Sequence, residues 1–186
     1  MAIVGSALEK REETGMRLFI AINMDRECRR RLLAVQDRLR ALARRGSYSR
    51  PENLHLTLAF LGETAADRLA GVRRAMDAAA VEPLTLTFDR VGRLRGDLWW
   101  IAPAENEALL RLQRTVSDRL RAEGFRLEER MFTPHLTLAR QVVLSAPPDE
   151  AALLGEPFST DVDHISLMQS QRVDGVLRYT ELYQKG

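Results

Sequence analysis

Cysteine is nearly absent from this 186-residue chain: Cys28 stands alone, which excludes an internal disulfide and a thiolate metal cluster and suits a reducing, cytoplasmic setting. Long apolar runs are missing as well. No uncharged stretch approaches the ~20 residues that a bilayer crossing requires, so no membrane association is expected. Residues 1–15 hold only short apolar patches, at positions 2–4 and 7–8, before Glu9, Lys10, Arg11, Glu12 and Glu13. A secretory leader needs a longer apolar stretch behind a basic start. These residues read as a flexible extension ahead of a single domain over residues 16–186. Lysine is scarce too: Lys10 and Lys185 are the two among 28 cationic side chains, and the others are arginine, whose planar fork suits phosphate contacts. The net charge of +2 is small and does not predict tight, non-specific binding to nucleic acid. A partner recognised at one phosphate or one strand end fits better.

What is present is the balance of a globular protein, 45% hydrophobic and 29% charged, in a length that suits one ordinary domain or two small lobes sharing a core. Residues 16–22 form a short β-favouring apolar run that reads as a buried strand. Asp25 then caps a helix with Cys28, Leu32, Val35, Leu39 and Leu42 at helical spacing, and Gly46 is expected to end it. The arginines on its other face read as a solvated surface rather than a binding patch. Residues 54–61 are strand-like, with Gly62 closing the strand and Thr64 opening a helix that reaches about Ala80, Asp67 lying near a capping-box position. Residues 84–89 and 97–102 suggest a hairpin across the turn at 93–96. Residues 105–123 form an amphipathic helix with Leu109, Leu112, Val116 and Leu120 on one side and Gly124 just past its end. Strands at 135–139, 165–168 and 176–183 complete the series. Strands that are often consecutive, mixed with helices, predict an α+β fold of antiparallel sheets flanked by helices.

One phrase occurs twice: His-Leu-Thr-Leu-Ala stands at residues 55–59 and again at 135–139. The strand period of two places His and Thr on one face and the leucines on the other. A single His on a strand is more often structural than catalytic, but a core has no packing reason to set His-x-Thr on the polar side of both copies. Two such strands brought together would aim His55, His135, Thr57 and Thr137 at one ligand. An imidazole whose ordinary pKa is near ~6.5 reaches either charge state at neutral pH, so the pair can act as acid and base. A threonine hydroxyl can donate to a non-bridging phosphoryl oxygen. Arg140 follows the second copy, and its charge could hold phosphate, although simple alternation points it to the other face unless the strand bends. His164 lies outside both copies and reads as structural. Trp99 and Trp100 sit in a strand, at least one of them in the core.

The wider phrases at residues 51–63 (PENLHLTLAFLGE) and 132–140 (FTPHLTLAR), together with MRLFIAI at 16–22 and the stretch 167–183, resemble the 2H phosphoesterase superfamily. More narrowly, they are similar to the RNA 2′,3′-cyclic phosphodiesterases once named 2′-5′ RNA ligases. The resemblance implies a two-lobed fold with pseudo-twofold symmetry, a central cleft, and one His-x-Thr strand from each lobe. It also implies hydrolysis of a 2′,3′-cyclic phosphate to a 2′-phosphomonoester, with His55 as proton donor to the leaving ribose oxygen and His135 as proton acceptor from water. Thr57, Thr137 and Arg140 are the implied phosphate contacts, and no metal or cofactor is implied. The implied partner is an RNA or nucleotide with a 2′,3′-cyclic phosphate, and a monomer is expected. Members often carry a tryptophan before the first motif where this chain has Tyr48-Ser49-Arg50. Tyr48 is the candidate to stack on a base there instead.

Three rival readings remain open at this point. The same chemistry could act on a linear 2′-5′ linkage or an ADP-ribose cyclic phosphate, or ligate RNA halves. The chain could bind RNA ends or nucleotides without catalysis. The histidines could be metal ligands, although no third ligand stands at zinc-site spacing.

Overall fold

Residues 15–94 and 97–186 are described by the structure, a computed structural model. The expected extension ahead of Gly15, and Arg95 and Gly96 of the expected turn, lie outside them.

The apolar run at the start becomes β1 (Met16–Asn23), and Leu18, Ile20 and Ile22 are all but completely buried. Asp25 caps α1 (Arg26–Leu42), its carboxylate accepting from the Cys28 amide, and Cys28, Leu32, Val35 and Leu39 face inward as their spacing predicts. Burial, with the Asp25 charge beside it, pushes the Cys28 thiol up to about 12. The end of α1 differs from expectation. Ala43 turns extended directly after the helix, and β2 (Ala43–Tyr48) runs through Gly46, where an added Cβ would sit 3.1 Å from both Tyr48 and Val142. That glycine is a close-approach position in a strand, not a helix stop.

The first motif opens β3 (His55–Thr64). Gly62 does not close this strand but lies inside it at φ 69, where the register with β1 slips. Thr64 is the last residue of the strand, its hydroxyl donating to the Gly62 carbonyl, so it does not cap the next helix. A 3-10 turn at Ala66–Arg68 leads instead into α2 (Leu69–Asp77), shorter than expected. Then come β4 (Leu84–Leu94), β5 (Leu98–Pro103) and α3 (Glu107–Ala122), the last capped by Asn106. The second motif leads into β6 (Leu136–Leu144). The sequence did not foretell α4 (Glu150–Leu154) or β7 (Phe158–Val162). β8 (Ile165–Val173) and β9 (Val176–Lys185) close a hairpin through Asp174 and Gly175, both at positive φ as a two-residue turn requires.

The strands form two antiparallel sheets. One has the order β3-β1-β8-β9, the other β2-β6-β5-β4-β7. The first motif therefore lies in the four-stranded sheet and the second in the five-stranded sheet, as a two-lobed α+β fold demands. α2 and α3 pack on the first sheet, and α1 and α4 pack on the second. The chain crosses between the sheets repeatedly, and one continuous core contains Leu18, Leu56 and Leu167 from one sheet and Leu86, Trp99 and Leu136 from the other.

The two motif strands share an irregularity. On β1, Ala21 pairs with Thr57 but Ile20 pairs with Ala59, which leaves Leu58 as an extra residue. On β5, Trp100 pairs with Thr137 but Trp99 pairs with Ala139, which leaves Leu138 as an extra residue. A β-bulge of this kind resets the alternation by one position. Leu58 and Ala59 are both buried, as are Leu138 and Ala139.

Candidate active site

His55 begins β3 and His135 immediately precedes β6. Each imidazole is held in the same way: Nδ1 of His55 donates to the Asn53 carbonyl at 2.8 Å, and Nδ1 of His135 donates to the Thr133 carbonyl at 2.8 Å. A carbonyl oxygen only accepts, so Nδ1 keeps its proton in every charge state. Nε2 is therefore the nitrogen of each ring that can give or take one.

The surroundings of the two rings differ. His135 is exposed, whereas His55 is half-buried beside Phe19, whose ring lies 4.8 Å away, and Tyr179, edge-on at 5.0 Å. Phe19 and Tyr179 also meet edge-on at 5.0 Å, and with Ala21 and Met168 they make a small apolar cluster separate from the main core. Burial lowers the His55 pKa to about 4; the Asn53 hydrogen bond opposes the shift, and the nearby His135 charge reinforces it. Opposite His55 in the ladder, the Asn23 amide reaches the Ser166 hydroxyl at 3.1 Å and Glu181 at 3.2 Å.

Two charges on the five-stranded sheet are felt by groups on the four-stranded one. His135 from one sheet acts on His55 from the other, and Arg140 from β6 offsets the burial that raises the Tyr179 phenol on β9. The bulge at Leu138 explains why the Arg140 charge falls on this side. With Leu138 and Ala139 both turned to the core, Arg140 comes to the side of Thr137, which simple alternation would not allow. The equivalent position after the Leu58 bulge is Phe60, which is 50% exposed and lies 6.1 Å from Phe19. Thr57 and Thr137 are both half-buried. Thr137 pairs with Trp100, and its carbonyl accepts from the Ser49 hydroxyl at 2.7 Å.

Tyr48 does not line the cleft. Its ring packs against the core under the Arg40 guanidinium, 4.3 Å away, and its hydroxyl is buried without a partner. It pairs with Ala139 and shares that residue's inward side. The basic face of α1 is also accounted for elsewhere. Arg30 pairs with Glu27, Arg40 with Asp37, and Arg38 donates to the Leu153 and Leu154 carbonyls, tying α1 to α4. A cavity of about 250 Å³ between Arg30, Arg31, Arg38 and Phe158 contains neither motif. His164 pairs with its neighbour Asp163, outside both motifs. Trp99 is buried in the core. Among the described residues no three His, Cys, Asp or Glu side chains gather as a metal site would need, and no helix is long and apolar enough to cross a membrane.

Phe19 and Tyr179 beside His55, and Phe60 beside Phe19, are neighbours that the alternation argument did not anticipate. Exposed phenylalanine at 60 is legible only once the bulge is known.

Two sheets that each bring a His-x-Thr strand to one cleft are the architecture of the 2H phosphoesterases. The profile of the 2′-5′ RNA ligase superfamily matches residues 26–174, and the chain belongs to that family. It is 32% identical over 129 residues to the RNA 2′,3′-cyclic phosphodiesterase of Archaeoglobus fulgidus, spanning 67% of this chain and 72% of the relative. To the enzyme of that name from Escherichia coli it is 31% identical over 173 residues, 89% of this chain and 93% of the relative. The crystal structure of E. coli LigT complexed with 3′-AMP superposes with a TM-score of 0.79 at 27% identity, covering 92% of this chain and 97% of that one.

Proposed function

We propose that the chain is an RNA 2′,3′-cyclic phosphodiesterase that opens the cyclic phosphate at an RNA end to a 2′-phosphomonoester. One observation carries this reading: two matching strands present two imidazoles, each with Nδ1 fixed by a backbone carbonyl and Nε2 left to meet a ligand. Water attacks phosphorus, and its proton passes to Nε2 of His135. The bond from phosphorus to the 3′ oxygen breaks, and Nε2–H of His55 protonates that oxygen. The products are a 2′-phosphate and a 3′-hydroxyl. Each positioned transfer is typically worth ~10²–10⁴-fold in rate. Thr57 and Thr137 donate to the non-bridging oxygens, Arg140 balances their charge, and the exposed face of Phe60 suits a nucleobase. Both histidine strands come from one chain, so a monomer suffices, and residues 16–186 act as a single unit. All charge and proton movements fall to side chains, so the scheme uses no metal.

A specific observation favours a second assignment of roles. With its pKa lowered to about 4, His55 is neutral in the free protein at pH 7, which by itself suits a base. In the first assignment the anionic phosphate must draw a proton onto His55 as it binds. Calorimetry of 3′-AMP binding in buffers of different ionisation enthalpy separates the two when run on both variants: proton uptake kept in His135→Ala and lost in His55→Ala supports His55 as the acid, and the reverse pattern supports the exchanged roles.

The central test uses an RNA ending in a 2′,3′-cyclic phosphate, in excess chelator. Turnover to a 2′-phosphate is expected, and His55→Ala and His135→Ala are each expected to lose at least ~10²-fold while keeping 3′-AMP binding. Intact cyclic ends, or full turnover in both variants, would overturn the proposal.

A further inference from the structure

The bulges at Leu58 and Leu138 each leave a leucine with no partner on β1 or β5, its carbonyl turned to the covering helix; the Leu138 carbonyl also accepts from the Ser49 amide, just past β2, at 2.9 Å. In both lobes a glutamine on the helix packed behind the sheet donates to that carbonyl. Gln36 of α1 is 1% exposed, and its amide nitrogen donates to the Leu138 carbonyl at 2.7 Å and to the Ser49 carbonyl at 2.9 Å. Gln113 of α3 donates to the Leu58 carbonyl at 3.3 Å and to the Ser117 hydroxyl at 3.0 Å. The two helices occupy different positions in the chain order, yet the same residue type reaches the same carbonyl of the same repeated phrase.

We infer that Gln36 and Gln113 are paired positioning residues, each holding the extra residue of its lobe's His-Leu-Thr-Leu strand and so fixing Arg140 or Phe60 on the cleft side. A regular strand through Leu138 would return Ala139 to the side of Thr137 and send Arg140 away from it. The bulge is thus what separates a phosphate-facing arginine from one turned towards the core, and Gln36 occupies a place in the apolar stripe of α1 that packing alone would give to leucine. The same holds in the other lobe, where the stripe of Leu109, Leu112 and Val116 is interrupted by Gln113. The inference rests on the reading of this cleft as the phosphate site.

A double-mutant cycle tests it. Gln36→Met keeps the side-chain length and removes the donors. It is expected to lower kcat/KM for the cyclic-phosphate RNA by about 10-fold, mainly through KM, and to add less than about twofold once Arg140→Ala is present. Gln113→Met, which acts in the other lobe, is expected to keep its full effect in that background. Faster amide exchange at Ala139 should accompany Gln36→Met. Losses from Gln36→Met and Arg140→Ala that multiply independently, or unchanged kinetics with only a lowered Tm, would overturn the inference. Should Gln36→Met fail to fold, Gln113→Met with Phe60→Ala runs the same cycle in the half-buried lobe-one position. Should the wild type leave cyclic ends intact, the proposed function falls, and the cycle is read on the affinity for inorganic phosphate, where the same non-additivity is expected.

Discussion

His55 carries a charge cost that can be read in solution. Its folded pKa, lowered to about 4, lies below the ordinary imidazole value, so the unfolded chain binds the proton first as pH falls. The stabilisation linked to this group is fully present above about pH 6.5 and is lost as pH drops towards 4, on the order of 3 kcal/mol in total. Urea denaturation of wild type and His55→Gln between pH 7 and 4 should show it: the variant is expected to lose less stability over that window. Parallel slopes for the two proteins would contradict the burial of this ring. Ring-proton NMR titration should place the His55 midpoint below the ordinary range. At this scale the sequence was informative. The His-x-Thr alternation put His55 with Thr57 and His135 with Thr137 on one face, because the period of two holds from each histidine to its threonine. It stopped being informative one residue later, at Leu58 and Leu138, where a bulge and a regular strand are written with the same letters. The aromatic partners of His55 were hidden for another reason: Phe19 and Tyr179 come from strands far from the motif in sequence. A polar residue within an apolar helical stripe, at Gln36 and at Gln113, is the signal that would have pointed to both bulges.

Elements formed where their own residues decided the matter and escaped notice where a neighbour did. α1 and α3 have capping residues, apolar stripes and enough length, and Asp25 and Asn106 cap them. β2 reads as Ala-Arg-Arg-Gly-Ser-Tyr, with no alternation, and is a strand because β6 offers it an edge. Gly46 looked like a helix stop for that reason. Gly92 in β4 is a clearer case of a glycine required by a neighbour: an added Cβ would lie 2.5 Å from the Trp100 indole, which shares a face with Thr137. Gly92→Ala is therefore expected to displace that ring, costing about 1–3 kcal/mol of stability and lowering turnover. Thermal denaturation and tryptophan fluorescence check it, and an unchanged emission spectrum with unchanged Tm would show that the ring has room to spare.

For the whole molecule, the two sheets share one core, and α3, which packs on the four-stranded sheet, lies in chain order between two strands of the five-stranded one. Unfolding of residues 16–186 is expected to be a single transition, with calorimetric and van't Hoff enthalpies equal. Leu56→Ala, in the four-stranded sheet, should remove about 2–5 kcal/mol and shift the same midpoint that Trp99 and Trp100 report from the five-stranded sheet. Separate midpoints would mean lobes that fold apart. The α+β class followed from the order of strands and helices, and one motif for each lobe followed from the resemblance to the 2H phosphoesterases. The strand order within the sheets did not, since it depends on partners that meet only in the folded chain.

One of those partnerships has a bearing on biosynthesis. β1 leaves the ribosome long before β8, which completes one of its two edges. At roughly 5–20 residues per second, that apolar edge stays unsealed for on the order of ten seconds during each round of translation. Nascent copies on a shared message carry the same sticky ribbon side by side, so the yield of usable protein should respond to chaperone supply and to translation speed more than the stability of the finished fold would indicate.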